Sequence, residues 1–349
     1  MNIRRFAMFC AVAIAILCVG PTGAQTKANQ AITKSWTAPL TPDGHPDLVG
    51  TWLDNSATPL ERPKELAGRQ FLTAAEVLEL KKNADRLFKS DKGDFAGGDN
   101  VFLAALANPD RFSNPNATCK SDQTPDREFD NRTSLIVDPP DGRIPPFTPE
   151  TQRKQSTLRN AMAAGLSPPA GPEDLNAAIR CITPGVPRLG GRYGAGDYGY
   201  YEIAQTREHV VLFNEIMHQT RIIPLDGRPH LPASIRTWDG DSRGRWDGKT
   251  LVVDTTNFSP KSNFIGSSEN LHLTERFTRV AADEIRYEVT IDDPTVWTRP
   301  WTVMVRLRRT DEKLYENACH EGNLPLEDIL TGARAQEKAA EDAASKHQK

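Results

Sequence analysis

From about Tyr198 onward the chain alternates apolar and polar residues with the two-residue period of a half-buried strand. In "EIRYEVTID" Ile285, Tyr287, Val289 and Ile291 fall on one side, and Arg286, Glu288, Thr290 and Asp292 on the other. "WTVMVRLRRT" repeats this, with Trp301, Val303, Val305 and Leu307 opposite Thr302, Met304, Arg306 and Arg308. Strands are predicted in YYEIAQ, HVVLFNE, TRIIPL, SIRTWDG, TLVVDTTNF, LHLTERFTRV, EIRYEVTIDD, WTVMVRLRRT and LYENACHE, punctuated by Asp226-Gly227, Asp247-Gly248 and Asp292-Asp293-Pro294. Short connections without a helical period imply a mainly β fold, an antiparallel meander over residues 191–332. Closure into a calycin-like barrel would remove its exposed edges. The charged face is expected outside around an apolar interior. The converse, a polar lumen with the apolar face covered by the N-terminal segment, would suit catalysis.

Upstream, residues 25–190 are rich in Pro and Gly and form an irregular region expected to pack on the barrel, with two or three helices. One helix is predicted near 72–88, where Thr73 and Glu76 have capping-box spacing. A second is predicted near 149–164, with Thr148 as cap, Pro149 in the first turn and Gly165 as stop. Between them "RTSLIVDPPDGRIPP" reads as one strand and a turn, and residues 333–349 as a polar helical or disordered tail.

Residues 1–24 read as a secretory signal peptide: two arginines, an apolar run too short to span a bilayer, and small residues Thr22 and Ala24 before a polar stretch. A periplasmic or secreted protein is expected, with no stable membrane insertion after cleavage. In an oxidising compartment Cys119, Cys181 and Cys319 predict one disulfide and one odd thiol. The favoured pair is Cys181 with Cys319, which ties the irregular middle of the chain to its last strand and closes a long loop. A net charge of -3 and the lack of a basic stripe exclude a nucleic-acid partner from the expectation; oligomeric state is left open.

Three clusters could carry chemistry. In "NEIMHQTRIIPLDGRPH", Glu215 and His218 sit where one strand turns into the next, with Arg221 following. A carboxylate beside an imidazole suits general acid-base work, although a structural hairpin contact is the plainer reading. In "WDGDSRGRWDG", Trp238 and Trp246 offer stacking faces, and Asp241, Arg243 and the nearby His230 offer polar contacts, as a carbohydrate-like ligand would need. Hairpin corners with aromatic packing are the alternative. In "ENLHLTERF", Glu275 points with Leu273 and Phe277, away from His272, Thr274 and Arg276. Buried there, it would carry the raised pKa of a general acid. In "YENACHEGN", Cys319 and Glu321 share one side of the expected last strand, leaving His320 to meet His218 or His272 across the barrel.

The strings "TPDGHPDLVGTW", "RTSLIVDPPDGRIPP", "RIIPLDGRPHLP", "GDSRGRWDGKTLVVDTTNF", "ENLHLTERFTRV", "TRPWT" and "ACHEGN" together resemble a large family of exported soil-bacterial proteins, over about Thr37 to Gly332. The resemblance implies export and common descent and carries no activity. The chain departs from it at Arg245, where "RGRWDG" stands for the more usual "RGHWEG".

No CxxC or HExxH occurs, and the Gly-rich "GGRYGAGDYG" follows no predicted strand and opens no predicted helix, so neither a metal nor an organic cofactor is expected. The expected function is therefore an exported lyase, isomerase, hydratase or hydrolase acting on a small or carbohydrate-like molecule. Its catalytic set would be Glu215, His218, Arg221, His272, Glu275 and His320. The alternatives are a barrel that binds an apolar or glycosidic ligand without chemistry, and a structural envelope protein.

Overall fold

A computed structural model describes residues 36–89, 100–107, 127–163, 168–189 and 199–347. The signal-peptide reading, Cys119 and Gly165 lie outside them. Ten strands form an antiparallel, nearly closed barrel: β1 (Gly50–Leu53), β2 (Ile136–Asp138), β3 (Tyr200–Gln205), β4 (His209–Asn214), β5 (Gln219–Pro224), β6 (Asp241–Asp247), β7 (Thr250–Thr256), β8 (His272–Ala281), β9 (Glu284–Asp292) and β10 (Trp301–Thr310). The order around the wall is β5-β4-β3-β1-β10-β9-β8-β7-β6, with β2 added beside β10.

Two meanders, β3 to β5 and β6 to β10, are thus joined through β1. Thr51 pairs with Glu202 of β3 on one side and with Thr310 of β10 on the other. Sequence reading placed Gly50–Leu53 in the irregular region and assigned it no strand; four residues are too few to show a period, and both pairing partners are distant in sequence. SIRTWDG forms no strand: Thr237 makes a single bridge with Phe258, and Gly240 closes a turn back to Thr237. The strand begins afterwards, at Asp241, as β6. LYENACHE is likewise a connection that turns at Cys319–Gly322, so alternation arguments do not apply to Cys319, His320 and Glu321.

The helices are α1 (Ala74–Lys89), α2 (Asn100–Leu106), α3 (Pro149–Ala163) and α4 (Leu324–His347). The capping box at α1 is formed: Glu76 N–H donates to Thr73 Oγ1 at 3.3 Å, and Thr73 N–H to Glu76 Oε2 at 2.8 Å. Thr148 caps α3 through Thr151 N–H, with Pro149 at its first position. α4 starts upstream of Gly332, so the C-terminal segment is a helix through His347 rather than a frayed tail. Ala333 is buried in it, and Arg334 donates to the carbonyls of Pro169 and Ala170.

The inward faces are those the alternation predicts. Leu273, Phe277, Ile285, Tyr287, Val289 and Val303 are buried in one continuous core. A smaller core under α1 and α2 collects Leu66, Leu72, Leu80, Phe102 and Phe129. The charged residues of β9 and β10 face outward, and residues 127–138 lie over them: Arg308 pairs with Glu128 and Glu284, and Arg132 donates to Met304 O at 2.7 Å. The end of the barrel where β8 finishes is closed by residues 36–49: Arg279 donates to Asp47 O, and His45 stacks on Trp246 with centroids 4.9 Å apart.

β5 and β6 meet at a seam. Nine strands, each antiparallel to the next, leave the first and last parallel to each other, and no ladder joins β5 to β6. The chain connects the two strands by a strap, Leu225 to Gly240, that returns along the outer wall over β6 and β7, as a parallel pair requires. β6 approaches β5 closely at Gly244, where a Cβ would stand 2.6 Å from Leu225 Cδ2 and 2.8 Å from Ile223 Cγ2. Gly244→Val is therefore expected to destabilise the protein by about 1–3 kcal/mol through overpacking, seen as a lower denaturation midpoint with an unchanged slope.

Candidate functional site

Inside the lumen, the predicted catalytic residues Arg221 and Glu275 meet. Arg221 projects inward from β5 and Glu275 from β8, and the guanidinium forks onto the carboxylate at 3.0 Å (Oε1) and 2.5 Å (Oε2). Tyr287 of β9 donates its hydroxyl to Oε1 at 2.8 Å, while Arg221 also donates to Ser242 of β6 (3.0 Å) and Thr255 of β7 (3.2 Å). Glu275 is 1% exposed. Burial opposes the charge on Arg221, but the Glu275 carboxylate more than offsets this and holds the guanidinium protonated. Burial also pushes the phenols of Tyr201 and Tyr287 upward, so both stay neutral. The void lined by Tyr201, Asn214, Gln219, Arg221 and Glu275 is about 20 Å³, the room of roughly one water. Glu275 is thus the latched half of a buried ion pair, where the sequence suggested an acid among apolar neighbours. Alternation placed it inward correctly and could not show that Arg221 would arrive from across the seam.

On the outer wall, His272, His230, Asp241 and Arg243 join a second cluster. His272 Nε2 lies 2.7 Å from Asp254 Oδ2, and His230 Nε2 lies 2.8 Å from Asp254 Oδ1. His230 Nδ1 is 2.9 Å from Asp241 Oδ2, and Arg243 donates to Asp241 Oδ1 at 2.6 Å. The same residues bind the strap: Leu231 N–H donates to Asp241, Asn257 to Leu231 O, and Arg243 to Pro229 O. His230, Asp241 and Arg243, expected to hold a ligand, therefore hold the strap. Asp254 was missed by sequence reading; its signal was a carboxylate interrupting the apolar run of "TLVVDTT". Its hydrogen bond from His272 keeps its carboxyl below the usual range, and the same bond raises the His272 imidazole. Among the described residues no group of three His, Cys, Asp or Glu converges as a metal site.

The remaining predicted catalytic residues sit apart. Glu215 precedes, and His218 ends, a short turn between β4 and β5; His218 is half exposed and 4.0 Å from Glu316. His320 is exposed in the turn beside Cys319. Neither His218 nor His320 reaches His272, so the six residues do not form one constellation. The disulfide is Cys181–Cys319, as loop closure favoured, although Cys319 lies in a connection and not in a strand.

That disulfide anchors one wall of a cleft of about 760 Å³ at the end of the barrel where β8 begins. Residues 173–188 form this wall, held further by Thr183 to Asp239 (2.6 Å), Gln219 to Gly185 O (3.3 Å) and Lys261 to Glu173 (3.1 Å). The β7–β8 connection forms the other wall, with Phe258, Ser262, Asn263, Phe264 and Ile265. Of the predicted ligand residues Trp238 lines the cleft, whereas Trp246 packs on His45 at the opposite end. Asn176, Arg188, Asn263 and Ile265 were not singled out, because they come from connections whose approach is set by the strand ends. Asp54 is a further buried group that sequence reading passed over. Burial raises its carboxyl to about 7, against the lowering effects of Ser56 N–H and of Arg127, Arg188 and Arg132.

Arg221→Met should destabilise the fold by about 3–5 kcal/mol by leaving Glu275 buried and uncompensated, and a second change, Glu275→Gln, should restore most of the loss in chemical denaturation. The Asp254–His272 contribution should be complete between pH 3.8 and 6.5, the ordinary values of the two groups. It should fade as pH rises through the raised His272 value, or falls through the lowered Asp254 value. With both side chains near 40% exposed it should stay below about 1 kcal/mol, so the Tm gap between wild type and His272→Asn should be widest near pH 5 and narrow toward pH 9. No family model, curated protein or solved structure matches this chain.

Proposed function

We propose that the protein is an exported binding barrel whose end cleft holds a small, uncharged, glycoside-like ligand. The observation that carries this reading is the lining of the cleft. Trp238 is partly exposed in a cleft also lined by Asn176, Ser262 and Asn263, an apolar face in one pocket with polar side chains that also bond internally to Ile179 N–H, Trp238 O and Gly266 N–H. Its acidic residues Glu173 and Asp174 are matched in number by Arg188 and Lys261, which favours a neutral ligand over an ion. The volume is that of an ordinary small-molecule site, roughly 300–1,000 Å³.

Acid-base catalysis by the six predicted residues is not favoured. None of them lines the cleft, no histidine lines it, and the pair that does enter the lumen is mutually consumed beside a void of about 20 Å³. The lumen is likewise filled, so a carrier that loads its cargo inside the barrel is not favoured either. Export rests on the character of residues 1–24 and on the resemblance to exported proteins, and the Cys181–Cys319 bond is in keeping with it.

The test is calorimetric titration of the full mature chain with neutral aryl and alkyl glycosides. Binding is expected, and Trp238→Ala should weaken it about tenfold, the worth of one stacked ring, with little change in Tm. Absence of binding by every glycoside, or binding indifferent to Trp238→Ala, would remove this reading.

A further inference from the structure

The wall of the cleft contains a turn whose sequence does not suit its backbone. Phe264 and Ser267 exchange both main-chain hydrogen bonds, at 2.8 and 3.0 Å, around two central residues. Both have positive φ, Ile265 at 52° and Gly266 at 90°. Such a turn selects Asn-Gly, because both central positions must enter the left-handed region. Gly266 meets the demand. Ile265 does not: a β-branched side chain crowds its own backbone there. Of the described non-glycine residues with positive φ, Cys181, Met217, His218, Asn257 and Ile265, only Ile265 is β-branched.

The surroundings hold the turn in place regardless. Gly266 N–H donates to Asn263 Oδ1 at 2.9 Å, Ser267 Oγ donates to the buried Asp293 at 2.5 Å, and Gln155 of α3 lies against Gly266. Strain that the neighbours over-determine is kept where the side chain has a use. The side chain of Ile265 is half-buried, rests on the barrel core and lines the cleft. With Leu175 and Trp238 it supplies the large apolar surface still partly exposed there, since Val186, Phe258, Phe264 and Leu271 are buried.

We infer that Ile265 is the specificity-determining residue of the cleft, supplying from its own wall, with Trp238 and with Leu175 on the opposite wall, the apolar surface that selects glycosides bearing an aryl or similarly apolar aglycone. This rests on the binding reading proposed above. An asparagine at this position would relieve the backbone and remove the apolar surface of Ile265, so stability and selectivity should move in opposite directions.

The experiment compares wild type with Ile265→Asn and Ile265→Gly, using 4-nitrophenyl β-D-glucopyranoside and methyl β-D-glucopyranoside as probes of one sugar with two aglycones. The expected result is a Tm about 2–4 °C higher in Ile265→Asn. Affinity for the nitrophenyl glycoside should fall about tenfold in both variants while that for the methyl glycoside is retained, so the preference between the two collapses. A preference that survives in both variants overturns the inference whatever the Tm does, and a lower Tm with intact preference assigns Ile265 to core packing. If wild type binds neither probe nor any other glycoside of the calorimetric series, the binding reading falls first and this one with it; if wild type binds glycosides through Trp238 and only the Ile265 effect is missing, this inference alone falls.

Discussion

The fold depends on the ion pair between Arg221 and Glu275. Nine strands in antiparallel succession leave the two at the ends running the same way, and β5 and β6 share no ladder. Arg221 crosses that gap from within. One guanidinium engages side chains from β6, β7 and β8, and Glu275 passes the connection to Tyr287 on β9. Charges in a low-dielectric interior are costly unless every lone pair and proton is met; here the carboxylate accepts from three donors, while the buried Nε of Arg221 has no partner. On the outer side, the histidine and aspartate cluster fastens the strap to β6 and β7. Inside the lumen, side chains thus do at this seam what backbone pairing does elsewhere.

Much of the wall was legible because its signal is local. Alternation in β8, β9 and β10 places Leu273, Glu275 and Phe277 inward and Arg286 and Glu288 outward, and the structure agrees. Capping chemistry at Thr73 and Thr148 is equally local. What escaped notice was non-local: β1, whose four residues gain meaning from β3 and β10, and Asp254, whose role depends on a histidine from the strap and another from β8. LYENACHE erred the other way, since a strand-like composition without a partner edge remains a connection.

The candidate site shows the same division. Glu215, His218 and Arg221 are near neighbours in sequence, yet a tight turn and the pleat send them to the rim, the solvent and the lumen. Proximity along a chain is a poor guide where each strand has two faces and each turn reverses direction. The cleft draws on segments separated by long stretches of sequence, and Trp238 alone of its members carried a recognisable signal. Its shape depends on a covalent tie, Cys181–Cys319, and on a strand-end turn that holds an isoleucine against its backbone preference.

The place of β1 bears on how such a chain can be made. Thr51 pairs with Thr310, so one of the earliest strands to appear must wait for the last before the wall is continuous. A chain emerging from its N-terminus would present β3 to β5 and later β6 to β9 as open sheets, with β1 lacking its second neighbour. High contact order of this kind delays folding until synthesis is nearly complete. The wall therefore closes only after β10 has been made, and until then β1 and β9 each keep an unpaired edge.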